Sequence, residues 1–216
     1  MAIIPNNEKV FMVSNGTNTT YSGSAALKAM QQWYTMEDVT NTVRPYQVFT
    51  ALLTQSGESD DQSLNVGDLL TIGVTYRINY ESSVRTSDFT NVGAPNNNPG
   101  TYFMATGTTP NSWDETTSLE YNPGAPVATV LENTIGYIWF TYVSPGNYSI
   151  YSSDLFLNNK TTLSINLMGD DIETGYLCLS YIQNTELLGI VTGTESGGSQ
   201  DNVLSWKTPI EIRVYN

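Results

Sequence analysis

Gln47-Val-Phe-Thr-Ala-Leu-Leu-Thr54 strings β-branched, aromatic and aliphatic residues together, and Ser56-Gly57 closes the run. Such residues fit a pleated, half-buried surface, so the stretch predicts a strand. The same texture returns at residues 69–78, 101–106, 127–131, 137–143, 148–151, 161–167, 176–182, 187–191 and 210–214. Nearly every join carries turn residues: Asn91, Gly93, Pro95, Pro99-Gly100, Ser144-Pro145-Gly146 and Asn158-Asn159. About ten short strands at this spacing predict a mainly β protein with a β-sandwich or jelly-roll-like body.

Composition agrees. The 216 residues are only 13% charged, against roughly 25% in an ordinary soluble domain. Thr, Asn, Ser, Tyr and Gly dominate, which disfavours a helical bundle or a coiled coil. With no histidine, the commonest general base and transition-metal ligand is missing. A single cysteine, Cys178, excludes an internal disulfide and a cysteine-based zinc site. The net charge of −13 argues against a grip on nucleic-acid phosphates. Apolar runs such as Gly136-Tyr-Ile-Trp-Phe-Thr-Tyr-Val143 are too short to insert in a membrane as helices, and MAIIPNNEKVFMV lacks a signal-peptide layout. These features predict a chain that is not an enzyme, uses no cofactor or metal, and binds neither nucleic acid nor membrane.

Charge also divides the chain. Residues 1–45 carry Lys9, Lys28 and Arg44 against Glu8, Glu37 and Asp38, so all of the −13 falls on residues 46–216. The neutral part holds the one helical signal. Ser24 is a plausible N-cap for AALKAMQQWYTMEDV, whose Leu27, Met30 and Tyr34 recur at steps of three and four, and Pro45 ends it. Residues 1–45 are therefore expected to form an N-terminal arm with a short helix. Leu27, Met30, Trp33, Tyr34 and Met36 are the candidate docking or oligomer interface; packing of that stripe on the protein's own body is the competing reading.

Carboxylates cluster at Asp60-Asp61, Asp114-Glu115 and Asp170-Asp171-Glu173, beside Gly, Asn or Ser. That setting suits solvated turn acids better than a glycosidase pair, and no cluster follows the calcium-loop pattern. Trp113, Trp139 and Trp206 lie in or beside predicted strands, which favours packing; Tyr102, Tyr121 and Tyr148 border loops and suit packing or a sugar equally. Cys178 in Tyr-Leu-Cys-Leu-Ser alternates toward a sheet interior and reads as a small buried hydrophobe.

Two stretches resemble modules of virion structural proteins from tailed phages of Bacteroidetes-type hosts, the crAss-like phages included. Pro45-Tyr-Gln-Val-Phe-Thr-Ala-Leu-Leu-Thr-Gln-Ser-Gly57 continues at Ala125-Pro-Val-Ala-Thr-Val-Leu-Glu-Asn-Thr-Ile-Gly136 and is similar to their "YTALLTQSG…APVATVLENTLG" text. Between the halves, Gly73-Val-Thr-Tyr-Arg-Ile78, Ser87-Asp-Phe-Thr-Asn-Val-Gly-Ala94 and Thr101-Tyr-Phe-Met-Ala-Thr-Gly-Thr108 resemble a "DFT.IGA…ATGT" module. Residues 58–124 thus look like a β module inserted into the body of residues 46–216. The resemblance implies a virion protein, with a head fibre or capsid decoration protein favoured. It implies other virion proteins as partners and assembly as a homotrimer. The alternative is a tail-associated adaptor or receptor-binding protein whose loops around 91–122 touch a host surface glycan. A free lectin or secreted adhesin is a third reading.

Overall fold

A computed structural model describes residues 9–14, 18–22, 44–56, 60–80, 86–167, 176–195, 197–201, 203–204 and 207–216. The chain divides into two units, 1–44 and 45–216. In the first, β1 (Lys9–Ser14) and β2 (Asn18–Ser22) form an antiparallel hairpin, which the sequence reading did not anticipate. The expected helix, with Leu27, Met30, Trp33, Tyr34 and Met36, lies outside the described residues.

The second unit is mainly β, with three four-stranded antiparallel sheets among the described residues. The first sheet, in spatial order β11-β14-β3-β8, joins Thr161–Ile165, Thr208–Tyr215, Tyr46–Thr54 and Val127–Asn133. The second, β12-β13-β10-β9, joins Tyr176–Ile182, Leu187–Thr194, Asn147–Ser152 and Ile138–Ser144. Period-two alternation directs Phe49, Ala51 and Leu53 of β3 and Ile210, Ile212 and Val214 of β14 into one core. Ile138 and Phe140 of β9, Tyr148 and Ile150 of β10, and Leu188 and Ile190 of β13 enter the same core from the second sheet. Two sheets sharing one apolar layer make a β-sandwich.

Residues between β3 and β8 build the third sheet, β4-β7-β5-β6, from Gln62–Leu64, Thr117–Tyr121, Thr75–Tyr80 and Tyr102–Met104. It has its own core of Leu70, Tyr76, Ile78, Phe89, Val92, Ala94, Phe103, Ala105 and Leu119. A 3₁₀ turn, Thr90–Val92, follows Phe89. This lobe departs from a loop between two strands that remain paired: β3 and β8 are antiparallel neighbours, with Thr54 opposite Val127 and Leu53 opposite Ala128. At the root, the Ser56 hydroxyl donates to the Pro123 carbonyl at 2.8 Å.

Two differences from the predicted strands have local causes. The run at 69–78 becomes a strand only from Thr75, because Gly73 turns the chain at φ +86°. Leu69 and Ile72 are left on the surface. Strands β4 and β7 escaped the sequence reading, being short and polar (QSL and TSLEY).

Candidate functional site

The lobe meets the sandwich along β9, an edge of the second sheet. The Phe140 amide donates to the Thr75 hydroxyl at 3.0 Å, and the Tyr137 hydroxyl donates to the Tyr102 carbonyl. In strand β9 Ile138 and Phe140 enter the core, while Trp139 alternates to the other face and packs at the core's margin; Tyr137, just before the strand, packs on the lobe core. Trp139 is therefore half-buried in an aromatic row. It stacks near-parallel on Tyr102 of the lobe at 6.4 Å and on its cross-strand neighbour Tyr151 at 5.2 Å. Tyr137 tilts against Trp139 at 4.6 Å, and the Arg77 guanidinium lies 5.8 Å over the Tyr102 ring. Such pairs add about 0.5–1.5 kcal/mol each beyond the area they bury, so the row fastens lobe to sandwich.

The row also walls an open groove of about 480 Å³, lined by Tyr102, Trp139, Thr141, Tyr142, Val143 and Tyr151. Tyr102, Thr141 and Tyr142 are shared with a smaller, polar pocket of about 180 Å³. That pocket is edged by Asp61, Arg77, Glu120 and Asn122. Here Glu120 accepts from Asn79 Nδ2 at 2.8 Å and pairs with Arg77 at 3.4 Å, while Asn122 Nδ2 donates to Asp61 at 2.9 Å. Aromatic rings bordering planar amide, carboxylate and guanidinium groups suit a neutral polyhydroxylated ligand: C–H faces lie on the rings and hydroxyls meet the polar rim.

Other sequence candidates fall elsewhere. Trp113 packs on the lobe core, its indole N–H donating to the Thr117 carbonyl at 2.8 Å. Tyr148 is buried in the sandwich core and Tyr121 packs on the lobe core. Trp206 and Asp170-Asp171-Glu173 lie outside the described residues. Among the described residues no group of three potential metal ligands converges, and no helix is long and apolar enough to cross a membrane. Cys178 faces the sandwich core half-buried, and burial pushes its thiol up to about 11, so at neutral pH it stays protonated.

Two lobe aspartates tie loops rather than face a cleft. Asp114 accepts from the Thr116 amide and hydroxyl (2.9 and 2.7 Å) and the Thr117 hydroxyl (2.9 Å) through one oxygen. Its other oxygen accepts from the Thr86 amide and hydroxyl (3.1 and 2.9 Å) and the Ser87 hydroxyl (3.0 Å). Asp88 accepts from Thr90, Asn97 and Asn111. For Asp114, burial pushes the pKa up, but the Thr116, Thr86 and Thr117 donors outweigh it and hold the carboxyl well below the usual range. The Thr90 hydroxyl and amide, then Asn111 and Asn97, do the same for Asp88. Both groups have depressed folded-state pKa values, so the stability they confer is complete above the unfolded value of about 4 and is lost as pH falls below it. Thermal unfolding of the body should shift steeply downward between about pH 4 and pH 2. A melting temperature that stays flat over that interval would contradict this role for the two aspartates.

The sandwich has a comparable anchor in Asp201, which accepts from the hydroxyls of Tyr142 (3.0 Å) and Tyr148 (2.9 Å) and from the Gly146 amide (2.7 Å). Burial, and then the Asp201 hydrogen bond, raise the pKa of Tyr148 and Tyr142. Gly146 admits this close approach: at φ +70°, a Cβ there would sit 2.4 Å from the Gln200 nitrogen.

No family model, curated protein or solved structure matches this chain.

Proposed function

We propose that this chain is a structural protein of a tailed-phage virion, carried on the head as a fibre or decoration protein and docked through residues 1–45. In this reading it works without catalysis or cofactor. Its partners are other virion proteins and further copies of itself, assembled as a homotrimer, and its location is the virion. The observation that supports it best is the behaviour of the split module. Its two halves pair as β3 and β8, and at their root Ser56 is hydrogen-bonded to Pro123, 67 positions further along the chain. The intervening residues fold as a sheet with a separate core. Such nesting is what reuse of one β module as a carrier for another requires, and reuse of that kind is what the phage resemblance implies. The acidic body suits a role in solvent, since its charge repels neighbouring bodies.

The aromatic groove favours a second reading, a tail-associated adaptor or receptor-binding protein that contacts a host glycan. Gold-labelled antibody against the body, applied to purified particles, separates the two. Label over the capsid supports the head protein; label at the tail tip supports the adaptor; particles without label overturn both.

A further inference from the structure

The sheet β12-β13-β10-β9 differs in chemistry from the other two. Its strands read YLCLSYI, LLGIVTGT, NYSIYS and IWFTYVS, without an Asp, Glu, Lys or Arg, in a protein of net charge −13. The other two sheets carry Glu132, Glu211 and Arg213, and Arg77 and Glu120, respectively. The face turned from the core mixes exposed apolar side chains with the uncharged polar Thr141, Asn147 and Ser149. Leu179 is 66% exposed, Val143 62%, Tyr181 51% and Leu177 47%. Between the two rims that hold these residues, β13 offers Gly189, Val191 and Gly193. The Tyr181 ring lies across Gly189, where a Cβ would come within 2.2 Å of it, and the Gly198 carbonyl lies against Gly193, 2.5 Å from a Cβ there, so these two glycines are covered by the chain itself and Val191 lies between them. β12 is moreover an edge strand, with one side unpaired within the sheet.

A monomer in water gains nothing from concentrating exposed Leu, Val and Tyr on one uncharged sheet. We propose that this face is an interface between copies of this chain. Charge selects that occupant. Two bodies that repel each other through their acids can meet here without desolvating a carboxylate, and a second copy supplies the same uncharged surface in return. Because the lobe occupies part of the outer side of β9, the free face is that of β12, β13 and β10: three strands spaced about 4.8 Å apart, six to eight residues long at about 3.3 Å each, or roughly 350 Å² per copy, with Val143 at its far margin. Twice that area in total is the size of a weak, concentration-dependent contact rather than of a permanent one. The inference is independent of where on a virion the protein sits.

The test uses the full chain, its mass followed by sedimentation from about 1 to 100 µM. The wild type should move from 23.8 kDa monomer to a closed oligomer. Leu179→Glu and Val143→Glu place a charge at exposed positions where the fold tolerates it, and each should weaken association about 100-fold. Leu131→Glu, equally exposed but on the other sandwich sheet, should leave it unchanged. Raising salt from about 20 to 500 mM should strengthen association, because it screens the body charge while no ion pair is lost. A wild type that stays monomeric at 100 µM overturns the inference. So does an oligomer that survives both glutamate substitutions, which places the contact in residues 1–45 or elsewhere; so does one disrupted equally by Leu131→Glu.

Discussion

Gly73→Ala should destabilise the body by about 4 kcal/mol, lowering its melting temperature by roughly 8–16 °C. The cost has two sources. At φ +86° a side chain is strained whatever the surroundings, and here the space is also filled: a Cβ would stand 2.1 Å from the Ala128 carbonyl oxygen. That carbonyl belongs to β8 and cannot rotate away as a side-chain tip could. The Gly73 amide donates to the Ala105 carbonyl at 2.8 Å and its own carbonyl accepts from the Ala128 amide at 3.1 Å, so any shift breaks backbone bonds on two elements. Gly67 provides the control. It shares the positive φ, at +94°, but nothing lies within 4 Å of its Cβ position, so Gly67→Ala should cost only about 1 kcal/mol. Urea unfolding of both variants measures the difference. Equal, small losses would mean that the Gly73 turn does not clamp the lobe to β8.

Asp114→Ala should cost about 2–3 kcal/mol, after discounting for the solvent around this half-buried group. Six donors from two loops converge on its carboxylate, and alanine leaves all six to find water. Asp114→Asn keeps one acceptor oxygen but aims an amide N–H₂ at three donors, so about half of the loss should remain. The pH readout separates this role from a general packing defect. Without the Asp114 carboxylate, the fall in stability between about pH 4 and pH 2 should shrink, leaving the part due to Asp88. An Asp114→Ala variant that keeps the wild-type acid profile would contradict the assignment.

The fold was legible in the sequence where alternation and turn residues agreed. The run at 47–54 became β3, Tyr176–Ile182 became β12, and Pro145-Gly146 made the turn between β9 and β10. It was illegible where strands were held by partners rather than by their own residues. QSL and TSLEY have no apolar face worth reading alone; β4 and β7 exist because β5 pairs with β7 and β7 with β4. The onset at Thr75 was hidden because the apolar text of 69–74 matches a strand, while the tertiary contact at Gly73 decides otherwise.

The groove was half legible. Trp139 read as packing, and it does pack, at the margin of the sandwich core and in the aromatic row with Tyr102 and Tyr151. The usable signal was the apolar run Gly136–Val143, in which β9 begins at Ile138: Ile138 and Phe140 fill the core, and the aromatic Trp139 between them needs a second partner. Nothing in local sequence could bring Arg77, Tyr102 and Trp139 together: Arg77 and Tyr102 meet as cross-strand partners of β5 and β6, and Tyr102 reaches Trp139 through the docking of the lobe on β9. Asp114-Glu115 was read as turn acids, and the hydrogen bonds give Asp114 a loop-tying role.

A particle component held by its N-terminal residues, as proposed, enters particles only when those residues are present. The most direct test is incorporation: tagged full-length chain and a version lacking residues 1–45 are each supplied during particle assembly, and gradient-purified particles are assayed by mass spectrometry. The full chain should be found in the particle fraction and the truncated chain, still folded, in the soluble fraction. Absence of the full chain from particles, or equal incorporation of both, would contradict it.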